Sequence, residues 1–189
     1  MTPDALRGGF ADAPIQSSYA FRAALDALAR PGTICTVDGA APPSPLSVAG
    51  GVLLLTLCDT TTSVHLAGAH DCAALRDWIT FHIGAPLVGA AEASFAVGNW
   101  SALQPVARFS VGTPDYPDRS ATLIVELSNL AAKGASLSGP GIEDVARLSL
   151  PETLAFQENH RLFPMGFDCF LTAGNQLAGL PRSTRVEDI

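Results

Sequence analysis

The sequence predicts an α/β fold, in which one domain contains a mixed β-sheet flanked by helices. Helical and strand patterns alternate along the chain without internal repeats, which is typical of this class. A length of 189 residues suits one domain, and no linker rich in Pro, Gly or Ser divides it. We therefore expect a single domain over residues 1–189, with about the first 16 residues flexible.

Apolar spacing predicts the first helix over residues 17–29, because apolar side chains recur at i, i+3, i+4 and i+7. Pro31 and Gly32 then end it. The positions expected to face the core are Phe21, Ala24, Leu25 and Leu28.

Three further helices are expected, over residues 45–58, 71–84 and 151–162. The helix over residues 45–58 is apolar on most sides, so it is expected to be buried. Gly50 and Gly51 disfavour a helix there, and a buried strand over residues 52–57 is the alternative.

Strands are predicted where short apolar or alternating runs lie between turn residues. Residues 106–111 alternate apolar and polar side chains. Residues 120–127 carry apolar residues on both faces, as in a strand covered on both sides. The other predicted strands are 32–37, 63–66, 94–98, 135–138 and 167–173, and the tail from Leu180 is mainly polar and carries arginines.

The charge balance excludes a general nucleic-acid or anionic-membrane surface, since the net charge is -7 and such surfaces need clustered Lys and Arg. Lys133 is the only lysine, so nearly all the positive charge is arginine. That bias fits a site for anions or protein partners, and a GC-rich genome, which favours Arg codons, is the alternative explanation. Apolar residues make up 48 % of the chain, which predicts some apolar surface covered by a partner.

The N-terminal residues lack a basic start followed by an apolar stretch, so no secretory signal is expected and the protein is predicted to be cytoplasmic. The longest apolar run, residues 49–58, is about half the length that a membrane-spanning helix needs. No membrane contact is expected.

The common catalytic and cofactor motifs are missing from the sequence. It contains no phosphate-binding glycine loop, no G-x-S-x-G and no H-E-x-x-H, and its four cysteines show no metal-binding spacing. Lys133 lies in a polar turn, where nothing indicates the desolvation that a pyridoxal-phosphate lysine needs. We therefore predict no catalytic residue, no cofactor and no metal.

Four turn-rich segments carry more polar residues than their turns require: GTPDYPDRSATL at 112–123, GPGI at 139–142, NHRLFPMGFD at 159–168 and LPRSTR at 180–185. Arginine forks suit anions and partner carboxylates, and glycines let a ligand approach the backbone. An ion pair between Arg119 and a neighbouring carboxylate is the alternative. The candidate anion or partner contacts are Asp118, Arg119, Gly139, Gly141, His160, Arg182 and Arg185.

These four segments, together with FRAALDALARPGT at 21–33, resemble in their order the PhnH family, the H subunit of the bacterial carbon-phosphorus lyase core complex. The resemblance extends from about Phe21 to Arg185. It implies a fold similar to the large domain of pyridoxal-phosphate-dependent transferases, without the cofactor site.

The resemblance also implies a function in organic phosphonate catabolism. Such a subunit is needed with the G, I and L partners to form ribose 1-alkylphosphonate 5-triphosphate, in a structural or co-catalytic role. It forms a homodimer when isolated and joins the G, I and J subunits, with K and L associated. The alternative is a stand-alone transferase that binds phosphate, phosphonate or nucleotide through Arg119, Arg182 and Arg185.

Overall fold

Strand β4 (Thr122–Glu126) lies inside the fold, between two hydrophobic layers. A computed structural model describes residues 6–188. In β4, Leu123 and Val125 face one hydrophobic cluster and Ile124 faces another on the opposite side, all fully buried. The prediction of a strand covered on both faces is confirmed.

The described residues form five α-helices and nine strands. The helices are α1 (Ala13–Ala29), α2 (Val48–Leu57), α3 (Ala73–His82), α4 (Trp100–Leu103) and α5 (Leu154–Arg161). The strands are β1 (Cys35–Thr36), β2 (Val64–Leu66), β3 (Phe95–Asn99), β4 (Thr122–Glu126), β5 (Ala135–Ser138), β6 (Ala146–Leu148), β7 (Asp168–Ala173), β8 (Gln176–Leu180) and β9 (Arg185–Glu187).

The main sheet has six strands in the order β1-β8-β7-β4-β3-β2. Strands β2, β3, β4 and β7 run parallel, whereas β8 and β1 are antiparallel to their neighbours. Helices α1, α2 and α3 cover one face of this sheet. Helices α4 and α5 and a small antiparallel sheet, β6-β5-β9, cover the other. The predicted single-domain α/β fold with a mixed sheet flanked by helices is therefore confirmed.

Among the local predictions, some were confirmed and others were wrong. The helix at 45–58 is confirmed as α2, capped by the Ser47 hydroxyl, and the strand alternative is wrong. The strand at 106–111 is also wrong: Val106–Arg108 is a 3-10 turn, and Arg108 Nη2 donates to the Ala102 carbonyl at 2.6 Å, which holds the segment back against α4. Strands β6, β8 and β9 were not predicted.

The predicted core face of α1 is wrong in part. Its buried residues are Ala20, Ala24 and Ala27, whereas Phe21 and Leu25 are about half exposed. The reason is the close approach of α1 to β8. A methyl group at Gly179 would lie 2.6 Å from the Leu28 nitrogen, so only small side chains fit between helix and strand.

The start of the chain makes contacts within the region predicted to be flexible. Helix α1 begins at Ala13, and the Asp12 carboxylate accepts from the Ile15 amide. The Arg7 carbonyl accepts the Trp78 indole N–H at 3.1 Å. Residues 1–5 lie outside the described residues, and flexibility of the first 16 residues stays a prediction. Within residues 6–188, no helix has the length and apolarity to cross a bilayer.

The carboxyl ends of β4 and β7 meet the first turn of α2. Glu126 ends β4, and its Oε1 accepts the hydroxyls of Ser47 at 2.8 Å and Thr172 at 3.1 Å. A methyl group at Gly50 would lie 2.3 Å from the same oxygen, so α2 and the carboxylate are in close contact. Burial raises the pKa of Glu126, and the two hydroxyl hydrogen bonds partly oppose the rise.

We predict that Glu126→Gln changes how stability depends on pH. Because the pKa of Glu126 is higher in the folded than in the unfolded chain, stability falls as pH rises above the unfolded value of about 4.3 and through the folded pKa. The free energy of unfolding of Glu126→Gln, minus that of the parent, should therefore increase with pH. Urea unfolding of both proteins at several pH values across this range measures the difference. Exposed Glu143→Gln is the control, and a difference that does not vary with pH would contradict the prediction.

Candidate functional site

Arg182 joins three of the four turn-rich segments. Its Nη1 donates to the Pro117 carbonyl at 2.8 Å and to the Pro164 carbonyl at 3.4 Å. Its Nη2 donates to the Ser120 hydroxyl and to Asp168 Oδ2, the latter at 2.6 Å. Its Nε donates to Asp168 Oδ1 at 3.1 Å. Every guanidinium nitrogen of Arg182 therefore has an acceptor within the chain.

The hairpin of β7 and β8 sets this geometry. Cys169 pairs with Leu180, so Asp168 at the start of β7 lies beside the residues that follow β8. The Arg182 amide also donates to Asp168 Oδ1 at 2.8 Å. The Arg182 and Asp168 side chains are only 12 % and 26 % exposed, so this is a largely buried, bidentate pair.

Asn159 fixes the segment at 159–168 from within. Its Oδ1 accepts the Phe167 amide at 2.9 Å and its Nδ2 donates to the Phe167 carbonyl at 2.8 Å, with the Asn159 side chain buried. The Gly166 amide donates to the Val111 carbonyl at 2.9 Å, next to the segment at 112–123. Residues 112–120, 138–141, 159–168 and 180–185 together form what we call the loop cluster.

The loop cluster lies at the amino ends of the parallel strands β4 and β7. Ser120 precedes β4, and Asp168 begins β7. Ligands of open α/β sheets ordinarily bind at the opposite, carboxyl edge. In this fold α2 covers that edge at β4 and β7, where the Ala49 amide donates to the Gly174 carbonyl and Glu126 accepts from Ser47.

Asp118 and Arg119 are exposed on the loop cluster. The Arg119 guanidinium lies 4.0 Å from the centroid of the Tyr116 ring, a cation-π contact. Among the described residues Arg119 makes no ion pair, so the alternative of a pair with a neighbouring carboxylate is wrong. The two side chains border a depression of about 480 Å³ that also includes Ser94 and Thr122.

Three candidate residues, Gly139, His160 and Arg185, line one open cavity of about 430 Å³, together with Phe163. His160 Nδ1 lies 3.0 Å from the Arg182 carbonyl. Because a carbonyl only accepts, Nδ1 is the donor, and Nε2 of the neutral ring can accept. The cavity thus combines an exposed arginine, an imidazole and backbone that a small ligand can approach.

Gly141 has a different role from Gly139. It has φ +82°, and a methyl group there would lie 1.9 Å from the Ala29 carbonyl oxygen at the end of α1. Gly141 therefore lets the GPGI turn pack against α1, and it does not line the cavity of His160 and Arg185.

Other groups considered from the sequence lie outside the loop cluster. Lys133 is exposed. Burial raises the pKa of Cys58 to about 12 and raises that of Cys169 as well, so neither thiol is reactive near neutral pH. Cys58 and Cys169 are buried, whereas Cys35 and Cys72 are only partly buried. No group of three or more His, Cys, Asp or Glu within residues 6–188 could hold a metal ion.

One family model and two known proteins match this chain over most of its length. The family model described as "Bacterial phosphonate metabolism protein (PhnH)" matches residues 8–187. The chain belongs to the PhnH family. It is 39 % identical to the alpha-D-ribose 1-methylphosphonate 5-triphosphate synthase subunit PhnH of Rhizobium meliloti, over 95 % of this chain and 94 % of the relative. It is 27 % identical to HtxG of Stutzerimonas stutzeri, a provisionally named C-P lyase subunit protein, over 94 % of each chain.

Sequence reasoning missed the acceptors of Arg182, although the motifs of the PhnH family contain them. Asp168 ends the turn-rich segment at 159–168, and Pro117 and Ser120 lie in the segment at 112–123. Their separation along the chain gives no local signal of contact. Only the register of β7 and β8 brings Asp168 to Arg182.

We predict that Arg182→Ala lowers the free energy of unfolding by about 3 kcal/mol, because it leaves Asp168 without its charge partner in a largely buried place. Arg182→Lys should lie between Ala and the parent, since an ammonium cannot reproduce the bidentate fork. Urea unfolding measures both.

Exposed Arg161→Ala is the control for Arg182→Ala and should change stability by no more than about 0.5 kcal/mol. Limited proteolysis should find the segment at 112–120 cleaved faster in Arg182→Ala than in Arg161→Ala. Equal stability and equal cleavage of the two variants would show that Arg182 does not hold the loop cluster.

Proposed function

We propose that this protein is a subunit of the carbon-phosphorus lyase system for organic phosphonate catabolism, needed with the G, I and L partners to form ribose 1-alkylphosphonate 5-triphosphate. Its role is structural or co-catalytic. The observation that carries the proposal is the position of the loop cluster. The polar segments of the family converge at the amino edge of the sheet, around an arginine whose donors are all used internally.

The carboxyl edge supports the same proposal. An α/β enzyme usually leaves a crevice at that edge for its substrate. Here the first turn of α2 lies against Glu126 and Gly174. An edge that α2 covers at β4 and β7 suits a subunit that works through its partners.

The exposed part of the loop cluster has the composition of a protein interface. Tyr116 is 50 % exposed and Phe163 is 58 % exposed, with Leu162 beside Phe163. Arg119 stacks on Tyr116, and exposed Asp118 lies next to it. Aromatic residues and arginine are enriched among the residues that contribute most to binding energy. We infer that this surface contacts another subunit of the complex.

Three further features belong to this proposal. The isolated protein is a homodimer, which gives its apolar surface a covering partner. It works in the cytoplasm with the G, I and J subunits, with K and L associated. Its fold is related to the large domain of pyridoxal-phosphate-dependent transferases, without the cofactor. An exposed Lys133 supports the absence of a Schiff-base lysine.

Co-expression tests the proposed function. The protein should co-purify with the G and I subunits of the system, and Arg119→Ala should weaken that association and slow growth on a phosphonate as sole phosphorus source. The variant should remain folded, because within residues 6–188 the Arg119 guanidinium makes no ion pair and lies over the Tyr116 ring. Exposed Arg147→Ala is the matched control. Failure of the parent protein to co-purify would overturn the proposal.

A second candidate function is binding of a phosphate or phosphonate group by the isolated protein. The cavity lined by Gly139, His160 and Arg185 favours it, because it offers a guanidinium, an imidazole and accessible backbone. Arg119 and Arg182 are less suited to this role. Arg119 lies at a different depression, and Arg182 already has internal acceptors at each nitrogen.

Calorimetry of the isolated protein with inorganic phosphate, methylphosphonate and ATP tests this second function. If it holds, one of these ligands should release or absorb heat, and Arg185→Ala should weaken its binding about tenfold or more, as expected for loss of a charge-assisted contact. Arg161→Ala should leave binding unchanged. No heat with any of the three ligands would remove the second function and leave the subunit role intact.

A further inference from the structure

An apolar groove separates helix α5 from the 3-10 turn at Val106–Arg108 and has a volume of about 240 Å³. Its two walls are formed by short sets of residues, Val106, Ala107 and Val111 on one side and Ala155, Glu158 and Leu162 on the other. Among the described residues that line the groove, Glu158 alone is charged, and it is exposed. The groove is therefore an apolar depression with one carboxylate at its rim.

The Glu158 carboxylate has no cationic partner within residues 6–188. Arg161 lies three residues further along α5, at a spacing that allows a pair, and the two side chains form none. Arg108 of the facing turn donates to the Ala102 carbonyl at 2.6 Å and lies over the Phe109 ring. Glu158 is thus available to a cation from another molecule.

The size of the groove favours an amino-acid side chain over a small-molecule ligand. Sites for small molecules usually enclose about 300–1,000 Å³. A cavity of about 150 Å³ already accommodates a benzene ring. At about 240 Å³, the groove has room for one large apolar side chain.

The backbone of the groove walls favours a helix over an extended peptide as the source of that side chain. In the turn, the Arg108 amide donates to the Pro105 carbonyl and the Phe109 amide donates to the Val106 carbonyl. The other wall is an α-helix, whose backbone groups pair with one another. An added strand needs free backbone groups, whereas an amphipathic helix binds a groove through its apolar side chains.

We propose that the groove binds an amphipathic helix of another subunit of the complex, through apolar side chains that flank a Lys or Arg paired with Glu158. Ala155, Glu158 and Leu162 are spaced by three and four residues, so they form one stripe about 10 Å long. A partner helix along this stripe has two apolar residues seven positions apart, with the basic residue three or four positions from each. Exposed Leu154 and Phe163 extend the apolar contact at the two ends.

The groove continues the surface that is proposed to contact another subunit. Leu162 belongs to both the groove and the loop cluster, and the Gly166 amide donates to the Val111 carbonyl at 2.9 Å. An apolar anchor in a well-packed pocket typically contributes much of the binding energy of an interface. The inference rests on the proposed function, and it adds the kind of segment that this surface binds.

Competition for limiting G and I subunits tests the inference, with parent and variant carrying different tags. Glu158→Lys should lower the bound share about tenfold or more, because it places like charges together. Glu158→Gln should lower it less, because it removes the attraction without adding repulsion. Ala107→Trp should lower it as well, because Ala107 is exposed and a ring there fills the groove. Exposed Glu143→Lys makes the same change of charge outside the groove and should bind like the parent.

A photo-crosslinking amino acid at position 107 identifies the segment that binds. Mass spectrometry of the co-purified complex should place the crosslink in another subunit, in a sequence with the spacing given above. Replacing the basic residue of that sequence by Glu should restore binding of Glu158→Lys to within a few-fold of the parent's. A crosslink to a second copy of this chain, or to a segment without the basic residue, overturns the inference.

Circular dichroism and thermal unfolding establish that each variant is folded. A folded Glu158→Lys that competes as well as the parent also overturns the inference. If the parent co-purifies with the G and I subunits and the variants compete equally well, the subunit role stands and only this inference is removed. If the parent does not co-purify, the subunit role and this inference are both removed.

Discussion

The ion pair of Arg182 and Asp168 is the interaction on which the loop cluster depends. The Arg182 guanidinium joins its own segment to two others, through the Pro117 carbonyl and the Ser120 hydroxyl of one and the Pro164 carbonyl of the other. Each segment is rich in turn residues, and the contacts of Arg182 link these separate segments to one another. A largely buried charge with every donor satisfied has few alternative positions, because each would leave donors unpaired. The loop cluster is therefore expected to be rigid.

The sequence was sufficient for much of the fold, because hydrophobic periodicity is a local property. Alternation along residues 120–127 predicted a strand with two covered faces, and the segment at 45–58 was correctly interpreted as a buried helix. The wrong predictions concern features that long-range packing determines. Alanines form the buried face of α1 because Gly179 lets strand and helix approach closely. Alternation at 106–111 satisfied a strand pattern, although the chain there turns back onto α4.

The candidate site was predictable in part. The turn-rich polar segments predicted His160, Arg182 and Arg185 as candidate contact residues. The structure brings these residues together around the Arg182 carbonyl and the cavity next to it. What the sequence could not give was the partition of roles among the arginines. Arg182 is occupied by internal acceptors, Arg119 lies over an aromatic ring, and Arg185 is exposed. That partition depends on the β7 and β8 register, which no local pattern encodes.

The loop cluster is supported by helix α1. The GPGI turn packs against the end of α1, where the Gly141 backbone lies in close contact with the Ala29 carbonyl, and Gly139 lines the cavity of the loop cluster. The loop cluster thus rests on packed secondary structure, so binding of a partner is expected to need little rearrangement of its backbone. A surface of this kind suits a protein whose role is to position its partners. This agrees with a chain whose carboxyl edge is closed by α2 and whose polar segments are gathered at the opposite edge of the sheet.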